Sequence, residues 1–389
     1  MSVAYCSIKG ITYHNSRRAY PGFTLFTPTE GEGVWMVDML GEYVKHWHFG
    51  YKPACYGELL PTGNILYAGK IEDGPLADIE GTGGILLEMD WDGNIVWEYR
   101  NPYLHHAFHR LENGNTLVLK WIQVPGEIAV NVVGGLSGSE REGVMWGDVI
   151  QEITPKGEVV WEWIGHEHLD PQKDITNDMC PRSTWTHADS VEQLADGDIL
   201  VTFMKNDSIA IINKKSGKIS WRWGLEEIAL PHGATELDNG NILLFDNGMQ
   251  RKCNPMTASR VIEVCPDTEE MIWAFGDDED RAIFFSSTMS NAQRLPNGNT
   301  LICEGDWGRI FEINTHGELL WEYVNAYPET KSAPTQLRPN PVYNAFRYGM
   351  DYSGLRRDPK PPVARQKSPG TPTQDRKQVL EARIAYLGY

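Results

Sequence analysis

The chain has 389 residues with 35 basic against 53 acidic side chains, a formal net charge of −18. A mean field of that sign repels nucleic acid and anionic membrane surfaces, which disfavours both as partners. Apolar residues make up 41% of the chain, enough for a large core, and no apolar run reaches the roughly 18 residues of a membrane span.

The stretch up to Gly22 contains Lys9, Arg17 and Arg18 but no continuous apolar segment, so no secretory signal is expected and the location reads as cytoplasmic. Six cysteines without CxxC spacing read as thiols in a reducing compartment. A small-molecule ligand is the expected partner, and a homodimer is compatible with the composition.

In chain order, a phrase of the form Gly-polar-apolar-apolar-Trp-x-aromatic recurs. It stands at Trp97, Trp161, Trp221 and Trp321, with looser copies at Trp47 and Trp273. Five of the six are followed by a Leu-x-x-Gly-Asn/Asp phrase, opening at Leu60, Leu111, Leu194, Leu237 and Leu295. Its Asn-Gly and Asp-Gly pairs suit positive φ in a tight hairpin. A further strand, as in DVIQEI and RIFEI, precedes each Trp phrase.

Six units of four short strands predict an all-β fold, a six-bladed β-propeller with antiparallel blades. Blade one lacks the Asn-Gly turn and is expected to share strands with the chain's end. Residues 1–327 are assigned to the propeller. Residues 328–389, rich in Pro, Lys and Arg, are assigned to an irregular extension wrapping it, with a terminal helix in QDRKQVLEARIAYLGY.

Strand direction alternates within a blade, so the start of the inner strand and the loop after the second strand share one mouth of the ring. The inner-strand starts carry Tyr56, then His105, His106 and His109, then His187, His232 and Ser290-Asn291. The loops after the second strands carry Lys205, Asp246-Asn247, Arg251 and Glu304. Histidine at one mouth in three successive blades points to acid–base, nucleophilic or oxyanion chemistry. His106, His187 and His232 could also hold a divalent metal, three imidazoles leaving an open position.

His166 and His168 have metal-like spacing but follow an outer strand and read as a solvated loop. His46 and His48 read as packing or surface residues, and GDDEDR from Gly276 as a solvated loop with calcium as a lesser alternative. GGLSGSEREG, from Gly134, reads as a flap at the mouth.

These stretches resemble bacterial arylsulfotransferases, which are six-bladed propellers. The resemblance runs through most of the chain: PGFTLFTP, WTHADSVEQLADGDILVTF, PHGATELDNGNILLFDNG, RLPNGNTLICEGDWGRIFEI and NAFRYGMDY. It implies sulfuryl transfer between phenols by a ping-pong route through a sulfated histidine. By motif it implies His187 and His232 as channel histidines that hold or protonate the sulfate ester and Arg251 as the guanidinium on its oxygens. His232 or His106 is the expected nucleophile and His187 the proton carrier, and Tyr56, Asn247, Asn291 and Arg347 are expected at the substrate. The late-blade slot for the family's attacking histidine carries Ser290-Asn291 here. Two other functions stay open on this scaffold: a histidine-based, metal-assisted lyase or hydrolase, and a non-catalytic binding propeller.

Overall fold

A computed structural model describes residues 9–253, 257–277, 284–327 and 340–355. Six antiparallel sheets form the blades of a propeller. Blades two, four and five each take four consecutive strands, beginning at Pro53–Leu59, Ala188–Gln193 and Pro231–Glu236. Blade three begins at Leu104–Arg110 and is interrupted, between its second strand Thr116–Gln123 and its third Trp146–Ile153, by an excursion over the mouth. Within that excursion Gly134–Leu136 pairs in parallel with Thr176–Pro181.

The ring closes from both ends of the chain. Val342–Gly349 is the innermost strand of blade one, paired with Gly22–Pro28. The stretch beyond residue 327 therefore enters the propeller instead of only wrapping it. Gly10–His14 adds a fifth, outermost strand to blade six against Leu319–Val324. The expected terminal helix lies outside the described residues.

The recurrent tryptophan has a physical cause. In four blades the recurrent indole, and in blade four its neighbour Trp223, reaches sideways to the turn between the third and fourth strands of the next blade. Trp97 Nε1 donates to the Pro155 carbonyl at 2.8 Å, and Trp161 Nε1 to Lys214 at 2.9 Å. Trp223 donates to Glu269, Trp273 to Thr315, and Trp321 to Met39 across the closure. Between blades one and two the contact is apolar, Trp47 standing edge-on to Trp91 at 5.1 Å. Five of the six blade interfaces thus add a directional bond to the aromatic area, each bond worth about 1 kcal/mol net.

The hairpin turns differ in detail from the tight two-residue expectation. Leu111 N–H bonds the Asn115 carbonyl while Gly114 N–H bonds back to Leu111, and only Gly114 sits at positive φ, +87°. This is a type I turn closed by one left-handed glycine. The Asn113 side chain accepts the Asn115 N–H at 2.9 Å, so this asparagine stabilises the turn through its side chain and not through its φ.

Candidate active site at the propeller mouth

The inner strands do not run straight into the mouth. Their pairing shifts register around His106 in blade three, around Asp189 in blade four and between His232 and Thr235 in blade five. Such bulges re-aim side chains toward the axis. Backbone strain gathers at the same place: His106, His187, Leu230, Met289 and Ser290 all have φ between 46° and 85°. Left-handed backbone costs a non-glycine residue roughly 1–2 kcal/mol, and strain of this kind concentrates at functional sites.

A cavity of about 550 Å³ opens here. Its polar floor is His187, His232 and Lys205. Met204, Leu230 and Met249 supply apolar walls, and Ser287 and Thr288 close it from blade six. Ser139 and Arg141 of the blade-three excursion reach over it, placing the expected flap at the mouth. Arg141 is tied to Asp78 at 2.8 Å and to the Pro75 carbonyl at 3.1 Å.

His187 is buried, and its Nδ1 lies 2.9 Å from Thr184 Oγ1. Lys205 Nζ donates to that same hydroxyl at 2.6 Å and to the Pro181 carbonyl at 2.9 Å. His187 Nε2 makes no hydrogen bond to the described residues. Burial, with the His106 ring and the Lys205 ammonium close by, holds the His187 pKa well below 6.5, so the ring is neutral at physiological pH. Burial also brings Lys205 down to about 8, against the pull of Cys180, Asp148 and Glu80.

His232 is locked differently. Its Nδ1 faces Asn247 Oδ1 at 2.7 Å and the Leu230 carbonyl at 3.0 Å, two acceptors, so Nδ1 carries the proton. Asn247 cannot turn round, because its Nδ2 donates to the Ser286 and Met289 carbonyls. The bare Nε2 accepts the Met289 N–H at 3.2 Å. Asn247, expected at the substrate, instead orients the imidazole.

His106 lies one layer below the cavity floor. Its ring meets that of His187 edge-on at 4.6 Å, and burial lowers its pKa to about 4. The three histidines therefore cluster, yet they do not form a metal ligand set. His232 has both nitrogens engaged, and among the described residues no group of three or more His, Cys, Asp or Glu is placed to hold a metal ion.

Arg251 is the largest departure from expectation. It is buried beside Asp246, with Nε 2.8 Å from Oδ2, and its Nη2 donates to the Ala258 carbonyl. Arg260 binds the same carboxylate oxygen at 2.8 Å. Arg251 does not line the cavity. Its family-like position serves the packing of blade five, because a buried Asp246 needs positive partners. The cations lining the cavity are Lys205 and Arg141.

Three residues expected at the substrate also lie elsewhere. Tyr56 donates to the Phe108 carbonyl at 3.0 Å inside the core. Asn291 makes a double bond pattern with the Ala345 backbone, joining blade six to the closing strand. Arg347 is buried on Glu312, Thr24 and the Tyr20 carbonyl and lies over the Trp321 ring at 4.5 Å. Arg347 thus secures the closure where both chain ends meet.

Away from the mouth, His168 stacks on Trp163 and His46 on Trp35, both as packing. Most of the GDDEDR run lies outside the described residues; its Asp277 pairs with Arg260. The five described cysteines are free thiols, and no described helix is long and apolar enough to cross a membrane. Lys205 and Ser287-Thr288 gave the weaker sequence signals: a lysine after a second strand and two hydroxyls in a loop have no distinctive spacing.

Fold and site together define a propeller with a strained, histidine-bearing cavity at one axial mouth. The chain belongs to the arylsulfotransferase (ASST) family, whose model matches residues 76–326. No curated protein matches the chain. Among solved structures it is similar to a Bacteroides caccae protein of unknown function, at 14% identity and a TM-score of 0.53, covering 84% of this chain and 98% of that one. A streptogramin B lyase is similar at 15% identity and a TM-score of 0.46, with 84% and 85% covered. The Pseudomonas aeruginosa periplasmic gluconolactonase follows at 10% and 0.46, with 79% and 97% covered. At these identities the shared feature is the propeller.

Proposed function

We propose that the protein transfers a sulfuryl group from an aryl sulfate to a phenol in the mouth cavity, with His187 as nucleophile and Lys205 as the cation and proton carrier. The observation that carries this reading is the His187 ring. It is neutral and held in strained backbone, its Nε2 has no hydrogen-bond partner among the described residues, and its Nδ1 is tied through Thr184 to an ammonium.

In this reading the Thr184 oxygen accepts a Lys205 N–H on one lone pair and the Nδ1–H of His187 on the other, so that Nε2 is bare. Nε2 attacks sulfur; the N–S bond forms as the bond from sulfur to the aryl oxygen breaks. The departing phenolate takes a proton from Lys205, whose pKa of about 8 suits that exchange. The second phenol returns its proton to the Lys205 amine, attacks sulfur and breaks the N–S bond. Until it gives its proton to the phenolate, the Lys205 ammonium offsets negative charge on the sulfuryl oxygens. His232, through Met289, holds the loop that brings Ser287 and Thr288 to the cavity.

The test is nitrophenol release from 4-nitrophenyl sulfate with and without added phenol. Acceleration by phenol, with phenyl sulfate as product, is the expected result. Release that ignores the acceptor and yields free sulfate contradicts transfer and points to a hydrolase on the same scaffold.

A further inference from the structure

The charged groups around the mouth cavity are unevenly committed. Lys205, which is buried, lies at the floor. Arg141, on the blade-three excursion, is paired with Asp78 and bonded to the Pro75 carbonyl, so that cation and that carboxylate offset each other. One more carboxylate lines the cavity. It belongs to Glu80, which is exposed and makes no hydrogen bond or ion pair to the described residues.

We propose that Glu80 receives a cationic group of the substrate, and that the acceptor is a phenol whose tail ends in a protonated amine. The inference rests on the reading of the cavity as a sulfuryl-transfer site and names its substrate class. The transfer step itself is unchanged.

The backbone fixes where this carboxylate stands. Glu80 belongs to the connection between the second and third strands of blade two, Ile65–Lys70 and Gly84–Met89. Leu76 and Ile79 of that connection are buried and pack with Trp121 of blade three. The Ile79 N–H bonds the Leu76 carbonyl, and the Thr82 N–H bonds the Ile79 carbonyl. Directly after Glu80, the Gly81 carbonyl accepts the His106 N–H at 2.8 Å. A Cβ at residue 81 would fall 1.9 Å from His106 Nε2, so the chain passes this close only as glycine. Glu80 is thus held between a buried anchor and a glycine contact, while the Asp78–Arg141 pair ties the same loop to the excursion.

Complementarity follows from this arrangement. The cavity has a cation at its buried end, an unpartnered carboxylate at its exposed rim, and apolar walls from Met204, Leu230 and Met249. A matching molecule carries its sulfate ester or phenol oxygen inward to Lys205, an aromatic body along the walls, and positive charge at the outer end. An ammonium donates a charge-assisted bond to a carboxylate. Because Glu80 is exposed, such a pair is limited to about fivefold in affinity. The chain's net charge of −18 attracts any cation as well, and a control variant separates that mean field from the local carboxylate.

Acceptor-dependent nitrophenol release is measured with 4-(2-aminoethyl)phenol and with its neutral isostere 4-(2-hydroxyethyl)phenol. The wild-type protein is expected to show kcat/KM about fivefold higher for the amine, through KM. In Glu80→Gln that ratio should fall to about one. Glu112→Gln removes the same charge from an exposed hairpin turn at the other mouth and should keep the wild-type ratio. A ratio near one in the wild-type protein overturns the proposal, as does a ratio that survives in E80Q or falls equally in E112Q. If neither phenol accelerates release, sulfuryl transfer fails, and binding decides the inference separately. In a ligand-observed NMR titration the amine should bind about fivefold more tightly than the alcohol, and E80Q should remove the difference. Equal affinities, or no saturable binding of either compound, overturn the assignment of Glu80 whatever the reaction.

Discussion

The two sides of the mouth use the same kinds of residue to opposite ends. On the side of blades three and four, the cation Lys205 and the imidazole His187 share one hydroxyl and face open volume. On the side of blades five and six, Arg251 is enclosed by Asp246 and the Ala258 carbonyl, and His232 has both ring nitrogens bonded. Residues of the same kinds thus keep a hydrogen-bonding position open toward the cavity on one side and have theirs filled on the other. The difference lies in which hydrogen-bonding positions the fold leaves unfilled.

That contrast is most exposed to a change at His187. Asparagine tolerates left-handed backbone, so His187→Asn should fold while losing about a thousandfold in kcat for sulfuryl transfer. A variant retaining near-wild-type turnover would move the chemistry to the other side of the mouth. Exchanging the two cations sharpens the point. Lys205→Met should lose about a hundredfold in kcat. Arg251→Met should instead lower unfolding stability by about 3 kcal/mol in denaturant titration, since it leaves the buried Asp246 with fewer partners. The folded fraction of the arginine variant should turn over normally.

A smaller effect is expected from pH. The ammonium of Lys205 is present below its pKa of about 8 and lost above it. Turnover should therefore fall as pH rises through that value, and the Lys205→Met variant should lack this limb. His187, with its pKa held well below 6.5, should add no acid limb near 6.5. The smallest effect belongs to the scaffold. Trp161→Phe removes one indole bond to the Lys214 carbonyl and should cost about 1 kcal/mol of stability, with turnover per folded molecule unchanged.

The architecture was legible because its causes are local and repeated. Tryptophan phrases mark each blade and Gly-Asn or Gly-Asp turns mark five of the six, and alternation of strand direction places inner-strand starts and second-strand loops at one mouth. The same logic gathered His106, His187 and His232 and flagged Lys205. It could not tell which polar groups are already satisfied. Arg251 follows DNG in the sequence, but its partner Asp246 lies within that same stretch, and only the fold shows the two locked together with Arg260. Tyr56, Asn291 and Arg347 misled for a related reason: polar side chains on inner strands also join blades, and Asn291 and Arg347 serve ring closure. The inner strand of blade one is hidden, because NAFRYGMDY lies beyond the last repeat.

The most direct measurement is the location of a trapped sulfuryl group. The protein is mixed with 4-nitrophenyl sulfate without acceptor, quenched, digested and mapped by mass spectrometry under conditions that preserve N–S bonds. Transfer through His187 predicts one added SO3 group on the peptide carrying that residue, absent from His187→Asn and discharged by phenol. A sulfuryl group on the peptide of His232 or on another residue, or acceptor-dependent turnover with the His187 peptide unmodified throughout, would contradict it.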